Sequence, residues 1–366
     1  MPRPARISLA IHARAGSFSD RWLERARDLG VAHRVVDCHG SRIMDALREH
    51  QGLLWHWTHT SWADQLIARH VIRGAEALGL RVFPSTETCW TFDDKLSQKY
   101  RLEALGAPLA RTECFFSESE ALAWLETAPL PLVAKLRRGA GSQNVQLLRD
   151  RRSARAYVQR AFRGGHPAYR GPLADAPRLV ARARARRDLV GPLLRLPRTL
   201  WANWNKAREL GVERGYVYFQ EFLPGNSHDI RVTVIGDRAF GFTRNVRPGD
   251  FRASGSGSID HDVRRIPEAC LRIAFAVARG LESQSTAFDF ALDREGKPRI
   301  LEVSYAYQDL AVHDCPGHWR RDLEFVPGQV WPQDAIFEDL LGSLESASAP
   351  SGRWSAAPEG VAGALP

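Results

Sequence analysis

Apolar and polar positions alternate in two registers along the first ninety residues. Short apolar runs at 7–12, 32–37, 52–57 and 80–84 read as strands, and between them the apolar spacing at 19–29, 42–49 and 63–78 follows a helical period. Ser19 and Asp20 open the first of these helices, and Gly30 stops it. Strands alternating with helices predict a parallel α/β sheet. No Gly-x-Gly-x-x-Gly follows the first strand, which argues against a dinucleotide fold. His56 and His59, among Trp55, Trp57 and Trp62, lie at the end of the third strand, where such sheets place ligands. A packed aromatic cluster is the stronger reading of them.

The pattern then changes. A helix is expected over 94–105, opened by Asp93 and Asp94, and another over 117–126. Strands at 132–135 and 145–148 flank the basic, glycine-containing turn Arg137-Arg138-Gly139-Ala140-Gly141-Ser142. Glycines let backbone N–H groups come close to an anion, and Lys135 adds a point charge, so this hairpin reads as a lid over nucleotide phosphates. Further on come a strand at 216–222, a hairpin of 230–235 with 238–243 about Gly236-Asp237, a helix at 267–279, and a hairpin of 286–292 with 299–303. Residues 343–366 are rich in Ser, Ala, Gly and Pro and read as a disordered tail.

Composition refines this picture. With 44% apolar and 25% charged residues among 366, the chain should build two or three subdomains. No apolar run reaches the roughly 20 residues of a membrane span. Five scattered cysteines without a CxxC pair favour free thiols and a cytoplasmic setting. Residues 151–210 carry a net +12, which leaves −3 for the rest of a chain of net +9. That segment lacks the interleaved aromatics of a nucleic-acid platform, which argues against nucleic acid as partner. Only five of the 51 basic residues are lysines, and Lys95 and Lys135 are two of them.

Four stretches carry candidate chemistry. Asp289 and Glu302 are each set in an apolar strand of the last hairpin, where paired carboxylates can hold Mg²⁺ or answer arginines. Gln220, Glu221, Phe222 and Leu223 run into Pro224-Gly225 as a strand able to meet an adenine edge. Asp229 and Arg231 offer a carboxylate for a ribose hydroxyl and a guanidinium for a phosphate. Arg244, Arg247 and Arg252, with the Gly-Ser run that follows, suit an anionic intermediate.

Taken in this order, these segments resemble the ATP-grasp ligases, which include D-alanine–D-alanine ligase and the ribosomal-protein glutamate ligases. The likeness covers roughly residues 85–305. It implies an α/β (α+β) ATP-grasp fold: an N-terminal parallel domain over 1–90, a lid subdomain over 91–222 with a basic insertion at about 163–210, and a C-terminal subdomain with the metal site over 223–342. It implies ATP and Mg²⁺ (or Mn²⁺) as cofactors. By it, Lys95 and Lys135 touch the phosphates, residues 137–144 with Gly139, Gly141 and Ser142 form the lid, Gln220 to Leu223 form the adenine hinge, and Asp229 meets the ribose. Asp289 and Glu302 become metal ligands. Arg231 and Arg252 become the catalytic arginines at the acyl phosphate and substrate carboxylate. Ser304 stands where the family has a metal-binding asparagine, and is expected to ligate Mg²⁺ or hold a water. Tyr305-Ala306-Tyr307 replaces the usual Pro-Gly.

Beyond residue 305 and within 151–210 the chain is similar to ATP-grasp proteins of bacterial surface-polysaccharide loci. The implied reaction is carboxylate–amine ligation through an acyl phosphate, with small-molecule carboxylate and amine substrates, an anionic uronic-acid-type glycan as acceptor class, and a homodimer as the common assembly. A phosphotransferase acting on a hydroxyl and a non-catalytic ATP- or glycan-binding protein are the alternatives.

Overall fold

The computed structural model describes residues 7–139, 144–168, 208, 211–247, 249–253 and 257–348. The first unit runs β1 (Ser8–His12), α1 (Phe18–Asp28), β2 (Ala32–Val36), α2 (Ile43–Leu47), β3 (Gly52–Leu54), α3 (Trp62–Ala77) and β4 (Arg81–Phe83). Its strands are all parallel, in the order β2-β1-β3-β4, as the alternation predicts. Serine starts its longer helices: Ser17 Oγ accepts from Ser19 N–H and Ser61 Oγ from Asp64 N–H. The third strand ends at Leu54, short of the residue 57 expected.

A linker helix α4 (Thr86–Trp90) leads to the second unit: α5 (Lys95–Ala104), β5 (Thr112–Phe115), α6 (Glu118–Leu125), β6 (Leu132–Lys135), β7 (Gln146–Leu148), α7 (Arg151–Arg163), the short pair β8 (His166–Pro167) and β9 (Val212–Glu213), and β10 (Val217–Glu221). Four of these strands form an antiparallel sheet ordered β5-β10-β6-β7. Alternation decides what each face does. Leu132 and Ala134 of β6, with Val217 and Phe219 of β10, pack on α6 and α7 through Ala121, Leu125, Tyr157 and Val158. Lys135 and Gln220 therefore point the other way, away from the helices. The basic face begun by Arg151 belongs to an ordinary amphipathic helix, capped by Asp150 on Ser153 N–H. Most of the expected insertion lies outside the described residues.

The third unit is β11 (His228–Ile235), β12 (Arg238–Asn245), β13 (Ile259–Asp260), α8 (Glu268–Gly280), β14 (Ser285–Leu292), β15 (Pro298–Ser304), α9 (Asp309–His313), β16 (Gly317–Trp319), β17 (Phe325–Pro327) and α10 (Pro332–Ser348). Its antiparallel sheet runs β15-β14-β11-β12-β16-β17, with β13 paired to β12. Ile230, Val232, Phe288, Phe290 and Val303 pack with Leu271, Ala274 and Ala278 of α8. The odd-numbered Asp229, Arg231 and Asp289 are left on the opposite face.

Two observations correct the sequence reading. Residues 343–348 are helical, so a tail starts no earlier than 349, and residues 349–366 lie outside the description. This helix also joins two units: α10 sends Phe337, Leu340 and Leu344 into a core shared by Leu9, Leu53, Trp22 and Phe83 of the first unit and Ile235, Phe240 and Val312 of the third. Trp22 Nε1 donates to Gln333 O at 3.0 Å, and Arg21 makes a bidentate pair with Asp334 at 2.8 and 2.7 Å.

Candidate nucleotide site

One cavity opens between the helix-free faces of the two antiparallel sheets. Val133, Lys135 and Gln220 line it from one side, and Asp229, Asp289, Ala291, Leu301 and Glu302 from the other. Glu221, Phe222, Leu223, Gly225 and Asn226 cross its back, and Phe251, Arg252 and Ala253 close a flank. Nine of the residues expected at a nucleotide therefore face one space: Lys135, Gln220 to Leu223, Asp229, Arg252, Asp289 and Glu302.

Lys135 Nζ donates to Gln220 Oε1 at 2.7 Å and to Leu301 O at 3.2 Å. Neither partner carries a full negative charge. Burial accordingly pushes Lys135 down to about 8, with Glu302 opposing and Lys95 adding to the fall. The Leu301 carbonyl is free for this bond because β15 is bulged. Phe290 pairs with Ile300 and Asp289 with Glu302, so Leu301 is an extra residue outside the ladder.

The carboxylates are surrounded by cations. Arg231 Nε and Nη2 hold Asp289 Oδ1 and Oδ2 at 2.6 and 2.8 Å, and Arg244 Nη2 lies 2.8 Å from Asp289 Oδ1. Arg244 also makes a bidentate pair with Asp229, at 2.8 and 2.5 Å. For Asp289 the arginine reading is thus the one seen in the structure. Burial alone would raise its carboxyl, but Arg231 and Arg244 outweigh burial and hold it below the usual range. Glu302 Oε1 lies 3.1 Å from Lys95 Nζ. Burial would lower Lys95, yet Glu302 and Asp93 raise it, so its ammonium is secure.

The remaining expectations fall outside the cavity wall. Arg231 stands behind Asp289, and Lys95 behind Glu302. Gly139, at φ +116°, is bonded to Lys95 through its carbonyl at 2.9 Å. Ser304 does not line the cavity: its Oγ donates to Ala306 O at 2.8 Å and accepts from Ala306 N–H at 3.2 Å, closing a turn. Arg252, which does line the cavity, is bonded to Asp250. Gly141 and Ser142 lie outside the described residues. His56 belongs to the packed cluster, stacked on Phe18 at 4.0 Å and pushed by burial down to about 3.

Two residues were missed from the sequence. Asn226 Nδ2 donates to Leu223 O and Leu292 O, and its Oδ1 accepts from Leu292 N–H, tying the hinge turn to β14. An asparagine just after Pro-Gly was the available signal. Arg244 was seen only as one of three arginines. Counting outward from the Gly236-Asp237 turn pairs it directly with Asp229.

The donor set that suits a divalent cation is Asp289 with Glu302. They are hard oxygen donors, direct register partners, and both line the cavity. Among the described residues one other metal-type group gathers, His12, Asp37 and His39. There His12 Nδ1 accepts from Cys38 N–H and His39 Nε2 bonds Asp64, so both imidazoles already have partners.

No protein-family model matches the chain, and no curated protein matches it. Solved structures do resemble it. D-cycloserine synthetase DcsG superposes with a TM-score of 0.55 at 15% identity, over 91% of this chain and 99% of that one. D-alanine–D-alanine ligase from Bacillus anthracis gives 0.52 at 12% identity, over 93% and 99%. ATP-grasp ligase PsnB, complexed with minimal precursor, Mg and ADP, gives 0.51 at 13%, over 92% and 98%. The chain has the ATP-grasp fold. At these identities the likeness is one of fold. No helix among the described residues is long and apolar enough to cross a membrane.

Proposed function

We propose that the protein is an ATP-dependent carboxylate–amine ligase. The observation that carries this reading is the gathering of Lys135, Gln220 to Leu223, Asp229, Asp289 and Glu302 around one cavity between two sheets. The backbone of Glu221 to Leu223 would meet the adenine edge, and Asp229 the ribose. Lys135 and Lys95 would neutralise the phosphates. Asp289 and Glu302 would hold Mg²⁺, which supplies charge neutralisation on the phosphates when bound. A substrate carboxylate attacks the γ-phosphoryl group, giving an acyl phosphate and ADP. An amine then displaces phosphate to form the amide. Arg252 would steady the anionic intermediate, Arg231 would hold Asp289 in place from behind, and the β6–β7 hairpin would exclude water. For the acceptor we propose an anionic, uronic-acid-type glycan or its precursor. The support for that class is the net +12 of residues 151–210.

The test is release of ADP and phosphate from Mg-ATP across amino acids paired with uronic acids, wild type beside Glu302→Ala. The reading expects turnover that needs both partners and is lost in the variant. Turnover with a hydroxyl acceptor and no amine overturns it in favour of phosphotransfer.

A further inference from the structure

Three consecutive residues at the start of α5 hold the piece of chain that follows β6. Lys95 N–H donates to Arg137 O at 3.0 Å. Arg137 Nη1 reaches Asp94 Oδ2 at 3.0 Å. Gly139 is gripped on both sides: its N–H donates to Asp93 Oδ1 at 2.7 Å, and its carbonyl accepts from Lys95 Nζ at 2.9 Å.

The two acids before Lys95 divide their work. Asp94 caps the helix, accepting from Ser97 N–H at 3.1 Å. Asp93 does nothing for the helix. Its backbone is left-handed, at φ +52°, and its carboxylate turns back to Gly139. Glycine takes a positive φ without steric cost, whereas an aspartate there is disfavoured. Such residues persist where their surroundings dictate them, and they gather at functional sites.

The consequence reaches Lys95. Its ammonium bridges Gly139 O and Glu302 Oε1, so where Gly139 sits decides where that ammonium sits. We propose that Asp93 is a positioning residue for the ligase reaction. By holding the Gly139 N–H it fixes the turn after β6 on α5 and sets Lys95 Nζ against Glu302, just behind the cavity wall. This rests on the ligase reading above.

Two variants of the full chain test it. Asp93→Gly removes the carboxylate and also relieves the left-handed backbone, so folding is not penalised. Asp93→Asn keeps an acceptor oxygen and tolerates the same φ. Misplacing a phosphate-binding group costs rate more than binding, so Asp93→Gly is expected to lower kcat by about 10–100-fold with KM for ATP within about threefold. Asp93→Asn should restore kcat to within about threefold of wild type. Without nucleotide, amide hydrogen exchange in peptides containing Gly139 should speed up by about tenfold or more in Asp93→Gly and stay near wild type in Asp93→Asn. Wild-type kcat and wild-type exchange in Asp93→Gly would overturn the proposal. If the wild-type protein turns over no ATP, the ligase reading fails, while the exchange comparison still decides whether Asp93 holds Gly139.

Discussion

Asp289 and Glu302 face the same cavity as direct register partners across β14 and β15, and they do so because Leu301 is one residue too many. Counting back from the turn at Asp293 to Lys297 without the bulge would set Asp289 against Leu301 and turn Glu302 to the α8 face. A one-residue shift exchanges every side chain between faces of a sheet. The bulge also presents the Leu301 carbonyl to Lys135 and to Gln220 Nε2.

The two carboxylates should respond differently to neutralisation. Asp289→Asn leaves the partly buried Arg231 without its anion, while Arg244 keeps Asp229, and is expected to cost about 3–5 kcal/mol in urea unfolding. Glu302→Gln keeps an acceptor for Lys95 at a side chain 32% exposed, and should cost only about 1 kcal/mol. Metal-stimulated phosphate release is expected to fall sharply in both.

Lys135 should make nucleotide binding depend on pH. Its ammonium is present below about 8 and is lost as pH rises through that value. ATP affinity, read with a fluorescent analogue at fixed magnesium, is expected to weaken about tenfold between pH 7 and pH 9, the scale of one charge-assisted hydrogen bond. Lys135→Met should bind weakly at both pH values and lose the dependence. Because it removes a buried charge, it should also melt no lower than wild type.

His56 should matter to acid stability and not to the pH profile of turnover. Folded, its imidazole takes a proton only near 3, whereas the unfolded residue does so near 6.5. The unfolded chain therefore binds the extra proton across that interval, and stability falls as pH drops from 6.5 towards 3. His56→Phe keeps the stack on Phe18 and is expected to unfold at lower pH, followed by tryptophan fluorescence.

Leu340→Ala in α10 should destabilise the first unit, although the helix follows the third unit in sequence. A cavity beside Trp22 and Phe83 is expected to cost about 2–5 kcal/mol. The loss should appear in hydrogen exchange of β1 and β3 before β11 or β14.

Much of the site was legible from period-two alternation. Leu132 and Ala134 are apolar partners for helices, so Lys135 must face away, and the same count sets Gln220 opposite Phe219. The pairing of Asp229 with Arg244 also follows from hairpin arithmetic. The pairing of Arg231 with Asp289 does not, since β11 and β14 are separated by α8 and their register is a tertiary fact. The Leu301 bulge carries no residue signal, as leucine is ordinary in a strand. Asp93 looked like a helix-start acid, and only its backbone conformation shows that it serves Gly139. The α10 helix is not among the expected elements, and its last residues, 343–348, read as tail because Ser and Ala there are weakly apolar; Leu340 and Leu344 find partners such as Leu9 and Trp22 at the other end of the chain.

That last packing arrangement has a consequence for how the protein is made. The core of the first sheet is completed by Phe337, Leu340 and Leu344, which the ribosome delivers after both antiparallel sheets. At translation rates of about 5–20 residues per second, β1 to β4 wait on the order of tens of seconds with an apolar face unmet. The first unit is therefore expected to complete its packing only once residue 344 has been made, late in synthesis rather than early.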